Sequence, residues 1–193
     1  MIEQYFEQLD QHLLLFINGM NAPWLDQTMF AITKMWVFIP LFLLWIYFTF
    51  KLLKAKGFLL FGICLGLTIL FADQTANAFK NNVERYRPTH NLVIGQEVHI
   101  VNDYHGGQYG FFSGHAATTF GIATLLFLTF RRKKSWIKHT FFPFAILASY
   151  SRMYLGVHYP FDIFCGMLTG ILYGFLAFQL LSVLLKKYSI PME

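Results

Sequence analysis

Long apolar runs separated by short basic clusters constrain this chain more than any other feature. Thr28 to Phe50 is interrupted by one charge, Lys34, and Gly57 to Phe79 by Asp73 alone. Phe111 to Phe130 forms a third run with His115 near its start, and Ile163 to Leu185 carries no charge at all. Thr140 to Ser151 is too short by itself and spans only if it extends from about Trp136 to Leu155. A membrane-spanning helix needs about 20 mostly apolar residues. The 193 residues are 56% hydrophobic and 13% charged, against roughly a quarter charged in a soluble domain. The pattern predicts one all-α domain over residues 1–193. It is a polytopic membrane helix bundle with about five transmembrane helices, near 28–50, 57–79, 111–130, 136–155 and 161–185.

The basic residues orient such a bundle. Lys51, Lys54 and Lys56 follow the first run; Arg131, Arg132, Lys133, Lys134 and Lys138 follow the third; Lys186 and Lys187 follow the fifth. These account for 10 of the 15 Lys and Arg residues, and a five-span chain places all of them on one side. The positive-inside rule makes that side cytoplasmic. The C-terminus is then cytoplasmic. The N-terminus, the 80–112 loop and the 151–162 turn face the periplasmic or extracellular side of a bacterial inner (plasma) membrane.

Residues 2 to about 20 follow another pattern. Ile2, Phe6, Leu9, Leu13, Phe16 and Ile17 recur at helical spacing, with Glu3, Glu7 and Asp10 on other faces, which predicts an amphipathic interfacial helix. No basic stretch and small-residue cleavage site open the chain, so the first apolar segment is expected to be retained. Cys64 and Cys165 lie inside apolar runs, which argues against a disulfide or a zinc site. The net charge of +5 sits between hydrophobic runs and points to lipid headgroups rather than nucleic acid. Gly166, Gly170 and Gly174, with Gly62 and Gly66, permit close helix approach, either within the bundle or in a homo-oligomer.

Three polar clusters fall beside the ends of apolar runs, all on the outer side. Lys80 and Arg87 are seven apart and share a helix face if the second helix persists to Pro88. Lys80 alone reads equally as an interfacial anchor. Ser113-Gly114-His115 opens the third run; Ser113 suits a helix N-cap, and the free N–H groups of a helix start suit a phosphate. Ser151-Arg152 is followed by His158 and Asp162 around Pro160. A carboxylate four residues from a histidine can fix the ring's tautomer and sharpen its other nitrogen, although a structural ion-pair network would also satisfy these groups. Together, three cations, two histidines and a carboxylate at the mouth of an apolar bundle describe a site for a phosphorylated lipid. His90, Glu97, His99, Asp103 and His105 crowd the 89–110 loop without a ligand spacing and read as solvated. Gly106-Gly107 gives that loop room to act as a lid. Asp73 is expected to face the bundle in a structural hydrogen bond.

The spacing Lys80-x6-Arg87-Pro88, Ser113-Gly114-His115, Ser151-Arg152-x5-His158-x3-Asp162 resembles the three-part signature of the type-2 phosphatidic acid phosphatase and vanadium haloperoxidase superfamily. Ten positions match in order, and Phe112 stands where that family usually has proline. The resemblance implies a hydrolase in which His158 attacks phosphorus to give a phosphohistidine, with Asp162 holding its ring. It implies that His115 protonates the leaving oxygen and then activates water. Lys80, Arg87, Ser113, Gly114 and Arg152 would bind the phosphate, and no metal or other cofactor takes part. Five apolar runs set the chain apart from a soluble haloperoxidase and favour a membrane lipid phosphatase. Undecaprenyl diphosphate is the first substrate expected, followed by lipid A, phosphatidylglycerol phosphate and phosphatidic acid. A small transporter or structural membrane protein is a remote alternative, since transporters keep polar groups near the midplane and show repeats.

Overall fold

The computed structural model describes residues 2–133 and 135–191, so Lys134 of the basic run lies outside the described residues, as do the side chains of Ile2 and Glu3. Among the described residues the secondary structure is helical apart from one isolated bridge, Tyr86 to Tyr109. The helices are α1 (Ile2–Gly19), α2 (Pro23–Thr33), α3 (Ile39–Val83), α4 (Gly114–Phe130), α5 (Phe141–Tyr154) and α6 (Pro160–Lys187). Two stretches, Trp36–Val83 and Pro160–Lys187, are long and apolar enough to cross a membrane.

The first apolar run is not one helix. The chain leaves α2 at Lys34, takes a left-handed turn at Met35 (φ 63°) and makes a 3-10 turn over Trp36–Phe38 before α3 begins. Pro40 dictates that restart. Proline is tolerated in a first helical turn but removes a hydrogen bond and clashes inside a helix. The basic stretch Lys51–Lys56, expected as a loop, is helical on both sides of a kink at Lys54. The third run begins its helix at Gly114 rather than Phe111. The fourth is a 3-10 turn over Trp136–Thr140 leading into the 14 residues of α5, about 21 Å.

Helix α4 packs most extensively on α6, and glycines set that contact. A Cβ on Gly166 would stand 2.5 Å from the Ser113 carbonyl oxygen; on Gly170 it would strike the Ala117 carbonyl, and on Gly174 that of Gly121. The four-residue glycine spacing therefore serves packing within the chain. Gly62 and Gly66 have nothing within 4 Å of such a Cβ and face away from the core.

Helix α1 forms where its periodicity predicts, but its burial is inverted relative to a soluble amphipathic helix. Asp10, Leu14 and Asn18, at i, i+4 and i+8, are buried against the bundle, while Phe6, Leu9, Leu13 and Phe16 are exposed. Asn18 clasps three elements: its amide donates to the carbonyls of Tyr154 (2.7 Å) and His99 (3.0 Å), and its oxygen accepts the His99 N–H (2.7 Å). Tyr154 in turn donates to Asp26 at 2.6 Å.

The glycine contact has a measurable consequence. Gly170→Ala should destabilise the protein by about 1–3 kcal/mol, as overpacking of a close contact does, and should lower activity by displacing the α6 start. Gly62→Ala should change neither. Equal melting temperatures for the two variants in detergent would contradict this account of the α4–α6 contact.

Candidate active site

Lys80 lies in the last turn of α3, which ends where Glu84 turns left-handed and its N–H returns to the Lys80 carbonyl at 3.2 Å. Arg87 therefore does not continue a helix face with Lys80. It stands on extended backbone paired with the 108–110 segment: its N–H donates to Gln108 O (3.0 Å), and the Gly110 N–H donates to Arg85 O (2.9 Å). The Arg87 guanidinium is then aimed by its own bonds, Nε to Tyr109 O at 3.1 Å and Nη1 to Val157 O at 3.0 Å. Gly106 folds over it at φ +70°, where a Cβ would lie 3.1 Å from Arg87 Nη1. That glycine is a close-packed wall of the site rather than a hinge with free space.

Ser113 caps α4, accepting the Ala116 N–H at Oγ (3.4 Å), while its own N–H donates to the Asp162 carbonyl (3.1 Å). Gly114 and His115 occupy the first turn, where backbone N–H groups have no partner within the helix. Phe112, in the place of a proline, is buried with Ala72, Ala76 and Ala117 and anchors the segment leading into the cap.

Helix α5 ends in a tight reversal. Gly156 adopts φ +67°, and the Val157 N–H returns to Arg152 O at 3.1 Å, the arrangement glycine supports just beyond a helix. The reversal sets Arg152 and His158 side by side. Arg152 is buried, and its Nη1 donates to Thr33 Oγ1 and to Tyr104 Oη (3.0 Å). Asp162, in the first turn of α6, accepts the Tyr159 N–H at Oδ2 (3.0 Å).

A single cavity of about 470 Å³ is lined by Lys80, Arg87, Gly114, His115, Arg152 and His158, with Tyr104 and Gly106 from the loop. Ser113 and Asp162 stand immediately behind, both fully buried. All eight residues singled out in the sequence thus converge. Asp73 also lines this cavity, exposed rather than turned into the bundle; it accepts from Asn77 Nδ2 (3.0 Å), whose Oδ1 accepts from Lys80 (3.3 Å). The loop histidines go elsewhere: His99 to Asp26 at 3.0 Å, His105 to Asp103 at 2.9 Å, His90 to Thr89 at 3.1 Å.

The hydrogen-bond pattern assigns the His158 tautomer. Arg87 Nη1 lies 3.2 Å from Nε2, and a guanidinium only donates, so Nε2 holds the lone pair. Nδ1 then carries the proton and faces Asp162 Oδ2 at 3.5 Å. Burial, and then the charges of Arg87, Arg152, His115 and Lys80, hold the His158 pKa well below the ordinary histidine range. The imidazole is neutral at physiological pH with its lone pair toward the cavity. Burial and the neighbouring Arg152 also lower Arg87, to about 10, which still leaves it charged.

Four contributors escaped the sequence reading. Arg85 bridges Asp162 Oδ1 and Asp10 Oδ2, each at 2.8 Å; its position two before Arg87 was the available signal. Tyr104 and Thr33 hold Arg152, and no spacing announces them. Gly110 leaves room for the His158–Asp162 pair, since a Cβ there would lie 3.3 Å from Asp162 Oδ2 and 3.6 Å from His158 Nδ1.

Comparison with known proteins bears on the same region. The PAP2 superfamily profile matches residues 59–185. A lipid A 4'-phosphatase of Bacteroides thetaiotaomicron is 36% identical over 97% of this chain and 85% of its own length. A lipid A 4'-phosphatase of Porphyromonas gingivalis is 30% identical over 91% of this chain and 74% of its own length. The crystal structure of Aquifex aeolicus LpxE superposes with a TM-score of 0.67 at 26% identity, covering 87% of this chain and 93% of that one.

A neutral buried His158 makes a prediction about stability. The unfolded chain protonates this residue near pH 6.5, whereas the folded, ligand-free protein resists the proton. Stability is therefore unaffected by His158 above that pH and falls below it, by up to about 1.4 kcal/mol per pH unit. His158→Gln should lose less stability than the wild type between pH 6.5 and 5 in thermal melts. Parallel pH curves for the two proteins would show that His158 charges freely in the folded state.

Proposed function

The chain belongs to the PAP2 superfamily, and from that membership we propose that it is a lipid A phosphatase acting at the outer face of the inner membrane. The family assignment makes it a membrane phosphatase, a hydrolase of lipid phosphates. The site observation that carries the reading is the single cavity in which two histidines face three cations. The choice of lipid rests on the relatives: the two that are at least 30% identical over nine-tenths of the chain are lipid A 4'-phosphatases. Undecaprenyl diphosphate, the first expectation from sequence, accordingly gives way to lipid A, with the 4'-phosphate as the group removed.

In this mechanism the phosphate enters between Lys80, Arg87 and Arg152, with the free N–H groups of Gly114 and His115 on its non-bridging oxygens. Arg87 transfers its donor from His158 Nε2 to the phosphate, which frees the lone pair. Once the phosphate dianion offsets the three cations, His115 takes up a proton. Nε2 then attacks phosphorus in line, the bond to the leaving oxygen breaks, and His115 passes its proton to that oxygen. The ring becomes cationic on phosphorylation, and Asp162 stabilises it through the Nδ1 proton. His115 then takes a proton from water, the hydroxide attacks phosphorus, the N–P bond breaks, and inorganic phosphate leaves. Charge stabilisation and alignment supply most of the acceleration in phosphoryl transfer, which is the role of the three cations.

The topology we propose has five crossings: residues 36–53, 55–83, 114–130, 136–154 and 160–187. Lys80, Ser113, Arg152 and His158 all belong to one end of these segments. Lys51, Arg131 and Lys187 belong to the other, the cytoplasmic end by the positive-inside rule. Helices α1 and α2 cover the site end.

Purified protein in detergent should release phosphate from lipid A with a higher kcat/KM than from undecaprenyl diphosphate, phosphatidylglycerol phosphate or phosphatidic acid, and vanadate should inhibit it. Mass spectrometry of the product should show loss at the 4'-position. Faster turnover of undecaprenyl diphosphate would overturn the substrate assignment. His158→Ala should lower kcat by on the order of a thousandfold or more, as loss of a nucleophile does. For topology, Leu92 is 94% exposed in the outer loop. In a cysteine-free background Leu92→Cys should react with an impermeant maleimide on the outer face of intact spheroplasts. Labelling only after permeabilisation would reverse the orientation.

A further inference from the structure

The phosphate chemistry makes no direct use of Arg85, although it is the most completely paired cation near the site. Nη1 donates to Asp162 Oδ1 and Nη2 to Asp10 Oδ2, both at 2.8 Å. The guanidinium also stacks on the Tyr159 ring at 4.0 Å. Asp10 is itself fixed to α6, accepting the Phe161 N–H at Oδ1 (2.9 Å). Arg85 is thus clamped between α1 and the first turn of α6, on the far side of Asp162 from the cavity.

The geometry of Asp162 gives this clamp a function. The carboxylate is fully buried, and a buried carboxylate without a counter-charge takes up a proton or rotates toward another donor. Its Oδ1 is committed to Arg85, so Oδ2 must turn toward the Tyr159 N–H and His158 Nδ1. Gly110 packs against the remaining side, where a Cβ would lie 3.3 Å from Oδ2. Asp10 extends the same constraint to α1, whose outward residues Phe6, Leu9, Leu13 and Phe16 are exposed apolar side chains.

We infer that Arg85 is a positioning residue. It holds Asp162 ionised and directed at the His158 nucleophile, and through Asp10 it makes the seating of α1 part of that alignment. This rests on the phosphohistidine reading above. Arg85 acts when positive charge builds on the His158 ring, so its removal lowers kcat and leaves the binding of the phosphate to Arg87, Arg152 and Lys80 intact.

The test is a double-mutant cycle in the full-length protein, with kcat and KM for lipid A measured alongside thermal unfolding. Arg85→Gln should lower kcat roughly tenfold to a hundredfold, the range of coupling between contacting residues, with KM within about twofold of wild type. Arg85→Lys should recover part of the loss, and Asp10→Asn should show a smaller decrease in kcat. In an Asp162→Asn background, Arg85→Gln should have no further effect, which a merely structural arginine would not produce. The same fold-loss in both backgrounds, or a rise in KM alone, overturns the positioning role. If Arg85→Gln loses its melting transition, Arg85→Lys and Asp10→Asn carry the test, and wild-type kcat in both overturns it. An active wild type with an equally active Arg85→Gln sinks this inference alone; a wild type inactive on every lipid phosphate sinks the proposed function with it.

Discussion

The bond from the Ser113 N–H to the Asp162 carbonyl, 3.1 Å long, joins the start of α4 to the start of α6, and the rest of the site is arranged around that junction. It forms only because Gly166, Gly170 and Gly174 let α6 lie directly on the α4 backbone. Backbone-to-backbone proximity is what brings His115, in the first turn of one helix, level with His158, just ahead of the other. In a lipid surround, where apolar burial between helices has little driving force, close packing of small residues is the main source of such precision. The glycine stripe is thus continuous with the chemistry.

Charge is distributed around the junction with a clear division. Among the described residues Lys80, Arg87 and Arg152 form no ion pair with a carboxylate, whereas Arg85 forms two. Two unit charges 4 Å apart repel by about 4 kcal/mol at an effective dielectric of 20, so gathering three cations around one cavity is electrostatically costly. Neutral partners hold the cations in place instead: the carbonyls of Tyr109 and Val157 for Arg87, the hydroxyls of Thr33 and Tyr104 for Arg152. These fix position without cancelling charge, which preserves the attraction for a phosphate dianion. The one carboxylate beside His158 is neutralised from behind, on the side away from the cavity.

The legibility of this arrangement in the sequence follows the range of the interactions. Apolar runs and the fixed spacing of the three clusters are local signals, and they located the helices and the eight converging residues. The errors were local too. Pro40 within the first run marks a helix start, and overriding it with hydropathy merged α2 with α3. The left-handed Glu84 ends α3 four residues before Pro88, so proline proved an unsafe marker of the helix end. Tyr104 and Thr33 could not be read at all, and Asp10 only as part of a polar helix face. Each meets its partner across a sequence gap of 48 to 119 residues, and nothing in their own neighbourhood distinguishes them from loop or surface residues.

Asp10 shows why such residues are hidden. On the helical wheel of α1 it belongs to the polar face, which in a soluble protein points to water. Here the apolar side chains point outward and the Asp10–Leu14–Asn18 stripe points in. That inversion is stable only if the outward face meets lipid and the inward polar groups find partners, and both inward polar groups do: Asp10 on Arg85 and Phe161 N–H, Asn18 on His99 and Tyr154. The same helix therefore reports two environments at once. Its exposed side carries Phe6, Leu9, Leu13 and Phe16, and its buried side joins the polar network behind His158 and Asp162. A helix that sequence assigns only to the interface is, by this geometry, also tied to Asp162 through Arg85.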